Sequence, residues 1–166
     1  MKSLLIIFLL LIFTPVQAQL RDFDFSSYTL NEDSDYQSLQ ADVLKVANLL
    51  LTTPTTAKTV AREQASLFLY KWMQGTPDYT FGTGRINIIL GEDVQLVGIA
   101  RVAEVKYALE DKESVRNNPN ATLAVWTRIA EYVANPSNKV QLTPKLNELI
   151  EAYKSGQMAD FIARHK

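Results

Sequence analysis

The chain has no cysteine and a single histidine among its 166 residues. The absence of cysteine excludes disulfides, thiol catalysis, thiolate metal sites and the lipidated N-terminal cysteine of a bacterial lipoprotein. Small exported animal domains more often carry a disulfide framework, so a cysteine-free exported chain points to a bacterial periplasm or medium. The one histidine, His165, is the penultimate residue. A chain end lacks the rigid support that a general base or metal ligand needs. Without other histidines, a transition-metal site would have to be built from carboxylates. Asp33 and Asp35 open like a calcium loop, but its required glycine and closing glutamate are missing. No metal and no cofactor is expected.

Nucleotide chemistry lacks its signatures too. Gly82-Thr83-Gly84 has no third glycine, no preceding strand and no downstream acid, and no Gly-Lys-Ser or Gly-Lys-Thr follows, so it reads as a turn. No serine sits in a nucleophile elbow, and His165 is the only base available to a triad. Seventeen basic and eighteen acidic side chains give a net charge of −1, with the basic residues scattered along the chain, which argues against a nucleic-acid partner.

What is present begins with export. Lys2 precedes an unbroken apolar run from Leu4 to Phe13, Thr14 and Pro15 stop it, and Val16-Gln17-Ala18 offers the small side chains a signal peptidase reads. Residues 1–18 are therefore expected to be a signal peptide cleaved before Gln19. A spanning helix needs about 20 apolar residues, which this run does not supply, and no second run of sufficient length follows. The mature chain is thus expected to be soluble, periplasmic or extracellular.

Residues 19–33 mix Asp22, Asp24 and Ser26 with Phe23, Phe25 and Tyr28 without a sustained period, and read as an extended arm or a disordered leader. From residue 34 to 166 a single helical domain is expected. Tyr36, Leu39, Val43, Val46, Ala47 and Leu50 recur at helical spacing, and Thr52-Thr53-Pro54 ends that helix. Ala61, Ala65, Phe68, Leu69 and Trp72 form the next stripe, giving a helical hairpin with its predecessor. Residues 85–91 alternate partly like a strand, but a lone strand would leave backbone groups unpaired, so a helix is expected. Glu92 and Asp93 suit the start of a central helix over 94–109, in which Arg101 and Glu104 are expected to form a largely buried pair. Asn118-Pro119 and Thr143-Pro144 read as caps followed by first-turn prolines, with stripes Leu123–Val133 and Leu146–Tyr153 behind them. Met158, Phe161 and Ile162 give a short last helix. The expected fold is all-α: an irregular antiparallel bundle of five or six helices after the cleaved signal peptide, with no internal repeat.

Two function classes remain. The favoured one is an exported, non-catalytic helical module that binds a protein, peptide or envelope component. The other is a carboxylate-based, glycosidase-like hydrolase drawing on Asp78, Glu92, Asp93 and Glu104. The interval Thr76–Gly84 with its flanks concentrates recognition chemistry, and nominates Trp72, Asp78, Tyr79, Phe81 and Arg85 as ligand-binding residues: aromatic area with few rotors, a planar cation and glycines that admit a partner. The same aromatics would also tuck a compact loop against the helices, and that packing reading is the preferred one.

Overall fold

The computed structural model describes residues 23–57, 59–82 and 86–165; the expected signal peptide, its cleavage point and Arg85 lie outside them. Among the described residues every regular element is helical: α1 Asp33–Ser38, α2 Gln40–Thr52, α3 Val60–Gly75, α4 Ile86–Leu90, α5 Val94–Asp111, α6 Pro119–Ala134, a 3₁₀ turn Pro136–Asn138, α7 Pro144–Lys154 and α8 Met158–Arg164. The helix expected near residue 86 is present, and the arrangement is compatible with a helical bundle.

Among the described residues eight helices stand where five or six were expected. Part of the difference is a break at Leu39, whose ψ of −2° interrupts the stripe that runs from Tyr36 to Leu50. The interruption is slight, because Leu39 N still donates to Asp35 O (3.2 Å) and Val43 N to Leu39 O (2.9 Å). The rest is a matter of counting α4 and α8, short helices of five and seven residues that were both expected, as separate elements.

Local chemistry sets four of the eight described helix starts. Thr59 Oγ1 accepts from Arg62 N, Asp93 Oδ1 from Gln95 N and Leu96 N, Asn118 Oδ1 from Asn120 N and Ala121 N, and Thr143 Oγ1 from Leu146 N, with distances of 2.9–3.2 Å. Each such cap satisfies backbone donors that the helix cannot, worth about 1 kcal/mol.

The core has two lobes joined by α5. One gathers Val43, Val46, Leu50, Phe68, Leu69 and Trp72 from α2 and α3. The other gathers Ile89, Leu96, Trp126, Ile129, Leu149 and Phe161 from α4 to α8. Helix α5 gives Val102, Val105 and Leu109 to the first and Ile99, Ala103 and Tyr107 to the second, and is therefore buried over most of its circumference. The described part of the arm is packed: Leu30 is buried, and Phe25 and Tyr28 lie on Phe68 with centroids 5.4 and 4.8 Å away. No helix of the described residues is long and apolar enough to cross a membrane.

Candidate functional site

The nominated interval begins where α3 ends. Trp72 is fully enclosed, and its Nε1 donates to Tyr36 O at 2.8 Å, so the side chain acts as an anchor between α3 and α1. Tyr79 and Phe81 are half-buried, each with its ring centroid 6.3 Å from that of Trp72. Burial, and after it the Asp78 charge, push the Tyr79 phenol above its ordinary value of 10.0. Asp78 is exposed, and its carboxylate accepts from Gln37 Nε2 (3.2 Å) and Gln40 Nε2 (2.9 Å).

A second loop, between α5 and α6, fastens this one by its backbone. Val115 N and Arg116 N both donate to Thr80 O, at 2.8 and 3.1 Å, and Thr80 N donates to Ser114 Oγ at 3.0 Å. Arg116 Nε donates to Phe81 O at 3.1 Å. The fastening loop is itself braced by Glu113, whose Oε2 accepts from Tyr107 Oη (3.0 Å) and Asn118 Nδ2 (2.9 Å). The structure thus brings Trp72, Tyr79 and Phe81 into one inward-facing group and leaves Asp78 on its rim. Arg85 lies outside the described residues.

Of the acidic side chains considered for hydrolysis, Asp78, Asp93 and Glu104 are each hydrogen-bonded to different partners. Asp93 caps α5, and Glu92 is exposed beside it. Glu104 lies eleven residues beyond Asp93 on the same helix, about 16 Å along its axis, which is beyond the separation of a glycosidase pair. Its carboxylate is wholly enclosed and accepts from Arg101 Nη1 at 3.1 and 3.0 Å, while the Arg101 side chain is 38% exposed. The expected largely buried pair is therefore one-sided: Glu104 is interior and Arg101 reaches it from the surface. Among the described residues no three His, Cys, Asp or Glu side chains gather as a metal site. His165 packs on Phe161, its Nδ1 2.8 Å from Phe161 O.

Sequence reading passed over two features of α3. Arg62 is buried, and its Nη1 donates to Leu50 O (3.3 Å) and Thr53 O (3.0 Å), placing a cation at the negative C-terminal end of α2. Burial draws the pKa of this guanidinium below the usual arginine value, with Tyr132 opposing the shift. Tyr132 reaches the same turn, donating to Thr53 O at 3.1 Å and accepting from Thr55 N at 2.9 Å. The signal was present in the spacing, since position 62 falls on the face of Ala65, Leu69 and Trp72.

The other feature is the opposite face. Val60, Leu67 and Tyr70 are 71%, 68% and 52% exposed, and helical spacing puts them on one side of α3. A groove of about 390 Å³ also opens at the ends of α6 and α7, among Val133, Pro136, Lys139, Leu142 and Lys154, and includes none of the nominated residues.

Fold and surface together define an all-helical protein whose nominated loop is packed and whose α3 carries uncovered apolar side chains. Comparison with protein-family profiles, curated proteins and solved structures gives no match.

Proposed function

We propose that the chain is an exported, non-catalytic helical module, released by cleavage before Gln19 as an antiparallel bundle over residues 34–166, and that it binds a protein, peptide or envelope component. The observation that carries the reading is the outer face of α3. Burying large apolar side chains that already stand in water is worth about 25 cal/mol per Å², and Leu67 and Tyr70 offer that area on a rigid helix without ordering a loop. The nominated loop supports the same reading in a secondary role, as a fixed rim presenting Asp78.

A photo-reactive residue placed at Leu67 in cells expressing the full chain tests it. A discrete cross-linked species is expected from position 67 and none from Glu148, which is exposed on α7. Equal labelling from both positions would remove α3 as the binding face. Intact mass of the exported fraction tests maturation: a species beginning at Gln19 is expected, and recovery of only the full-length chain in the membrane pellet would identify Leu4–Phe13 as an anchor.

A further inference from the structure

The charges beside Leu67 are arranged to complement themselves. Glu63 and Lys71 lie four residues on either side of Leu67, on the same i±4 ridge of α3, and both are exposed. Neither takes part in an ion pair among the described residues, although α3 neighbours other charged segments. A ridge with an acid one turn before its apolar centre and a base one turn after it repels a parallel copy in register and attracts an antiparallel one.

We infer that the outer face of α3 binds a second copy of this chain, through an antiparallel pairing of the two α3 helices about a two-fold axis beside Leu67. This rests on the reading of α3 as a binding face and names its partner. In that pairing Leu67 meets its symmetry mate, and Glu63 of each subunit faces Lys71 of the partner subunit. Tyr70 comes beside Gln64 of the partner subunit. Packing i±4 ridges of two helices against one another is the commonest class of helix crossing, at about −50°. It lays the Glu63–Leu67–Lys71 ridge alongside its own copy. A closed two-fold uses the patch once and leaves no free end for further growth. A single helix pair is a small interface, so association is concentration-dependent and weaker than that of an obligate dimer.

Sedimentation equilibrium on protein purified after expression of the full chain, at low salt, tests the charge pattern. Wild type is expected to show a monomer–dimer equilibrium. Glu63→Lys and Lys71→Glu should each weaken self-association about tenfold, because two attractions become two repulsions. An equimolar mixture of the two variants should recover wild-type association as a heterodimer, since each then supplies the charge the other needs. A misfolded variant could not produce that recovery.

Position is tested by cysteine cross-linking, which is clean because the chain has no cysteine. Leu67→Cys should form a disulfide dimer under mild oxidation. Val60→Cys should not, since two copies of position 60 would lie on the order of 20 Å apart, beyond disulfide reach. Wild type that stays monomeric up to its solubility limit overturns the pairing, as does equal cross-linking at both positions, or a mixture no more associated than its components. If the chain stays monomeric while position 67 still photo-cross-links to a different protein, the binding face stands and only the identity of its partner falls.

Discussion

Gly75 closes α3 directly against the ring of Tyr36: a Cβ on Gly75 would lie 2.5 Å from Tyr36 Cε1 and closer still to Cζ and the hydroxyl oxygen. The ring is not free to withdraw. Tyr36 Oη donates to Leu30 O at 3.2 Å, and the Tyr36 carbonyl accepts from Trp72 Nε1 at 2.8 Å. Alanine is the better helix former by up to about 1 kcal/mol, yet Gly75→Ala is expected to destabilise by about 1–3 kcal/mol through overpacking. In a double-mutant cycle with Tyr36→Ala, most of that loss should disappear. Chemical denaturation measures it, and a neutral or stabilising Gly75→Ala would show that the contact yields.

Glu104 and Arg101 should respond unequally to truncation. Glu104→Ala removes the buried charge together with its desolvation cost and leaves an Arg101 that is 38% exposed and can be hydrated, so the loss is mainly that of the void beside α5, about 1–2 kcal/mol. Arg101→Ala takes the guanidinium away from a carboxylate enclosed at 0% exposure, where water does not replace it, and about 3–5 kcal/mol is expected. Equal losses in the two variants would contradict the one-sided burial.

The buried guanidinium of Arg62 predicts a cost for losing its fork. Arg62→Met keeps much of the volume but leaves the carbonyls of Leu50 and Thr53 without that donor, and should lower stability by about 2 kcal/mol. Hydrogen exchange should speed up first in the last turn of α2. Unchanged protection there would mean that water replaces the cation at no cost.

Tyr79 and Phe81 pack against Trp72, so replacing either with alanine should lower the melting temperature by about 4–8 °C. Midpoints within a degree of wild type would identify the two rings as a surface awaiting a ligand, and would return the binding site to Thr76–Gly84.

Asp35 carries an acid-sensitive contact. Its Oδ2 accepts from Asn31 N (2.9 Å) and Glu32 N (3.1 Å), and these bonds, that of Asn31 first, hold its carboxyl below the ordinary 3.8. A depressed carboxylate stabilises the fold above its unfolded value, and that contribution is lost as pH falls through the lower folded value. The junction of arm and α1 should therefore loosen at the acid end of that window, and Asp35→Asn should flatten the change. Carbon-detected NMR titration reads the group directly, and a midpoint at or above 3.8 would refute the capping.

Much of the fold was legible because its causes are local. Asp93, Asn118-Pro119 and Thr143-Pro144 act on donors within three residues, so they mark helix starts whatever surrounds them. The apolar stripes that define α2, α3, α6 and α7 are local in the same sense. Their edges are not: Leu123, read as part of a buried stripe, is 40% exposed, while Arg62, which the stripe omitted, is buried. Composition and spacing alone determined that this is an all-helical chain without thiol chemistry. Only the tertiary structure decided where each covered face ends and which distant segment covers it. It set Thr80 against Val115, Tyr132 against Thr53 and Tyr36 against Gly75, pairs joined across 35 to 79 residues. It also left Leu67 and Tyr70 in water. The reason is physical: a cap or a stripe is a property of one turn of helix, but burial is a property of whatever distant segment arrives to cover it.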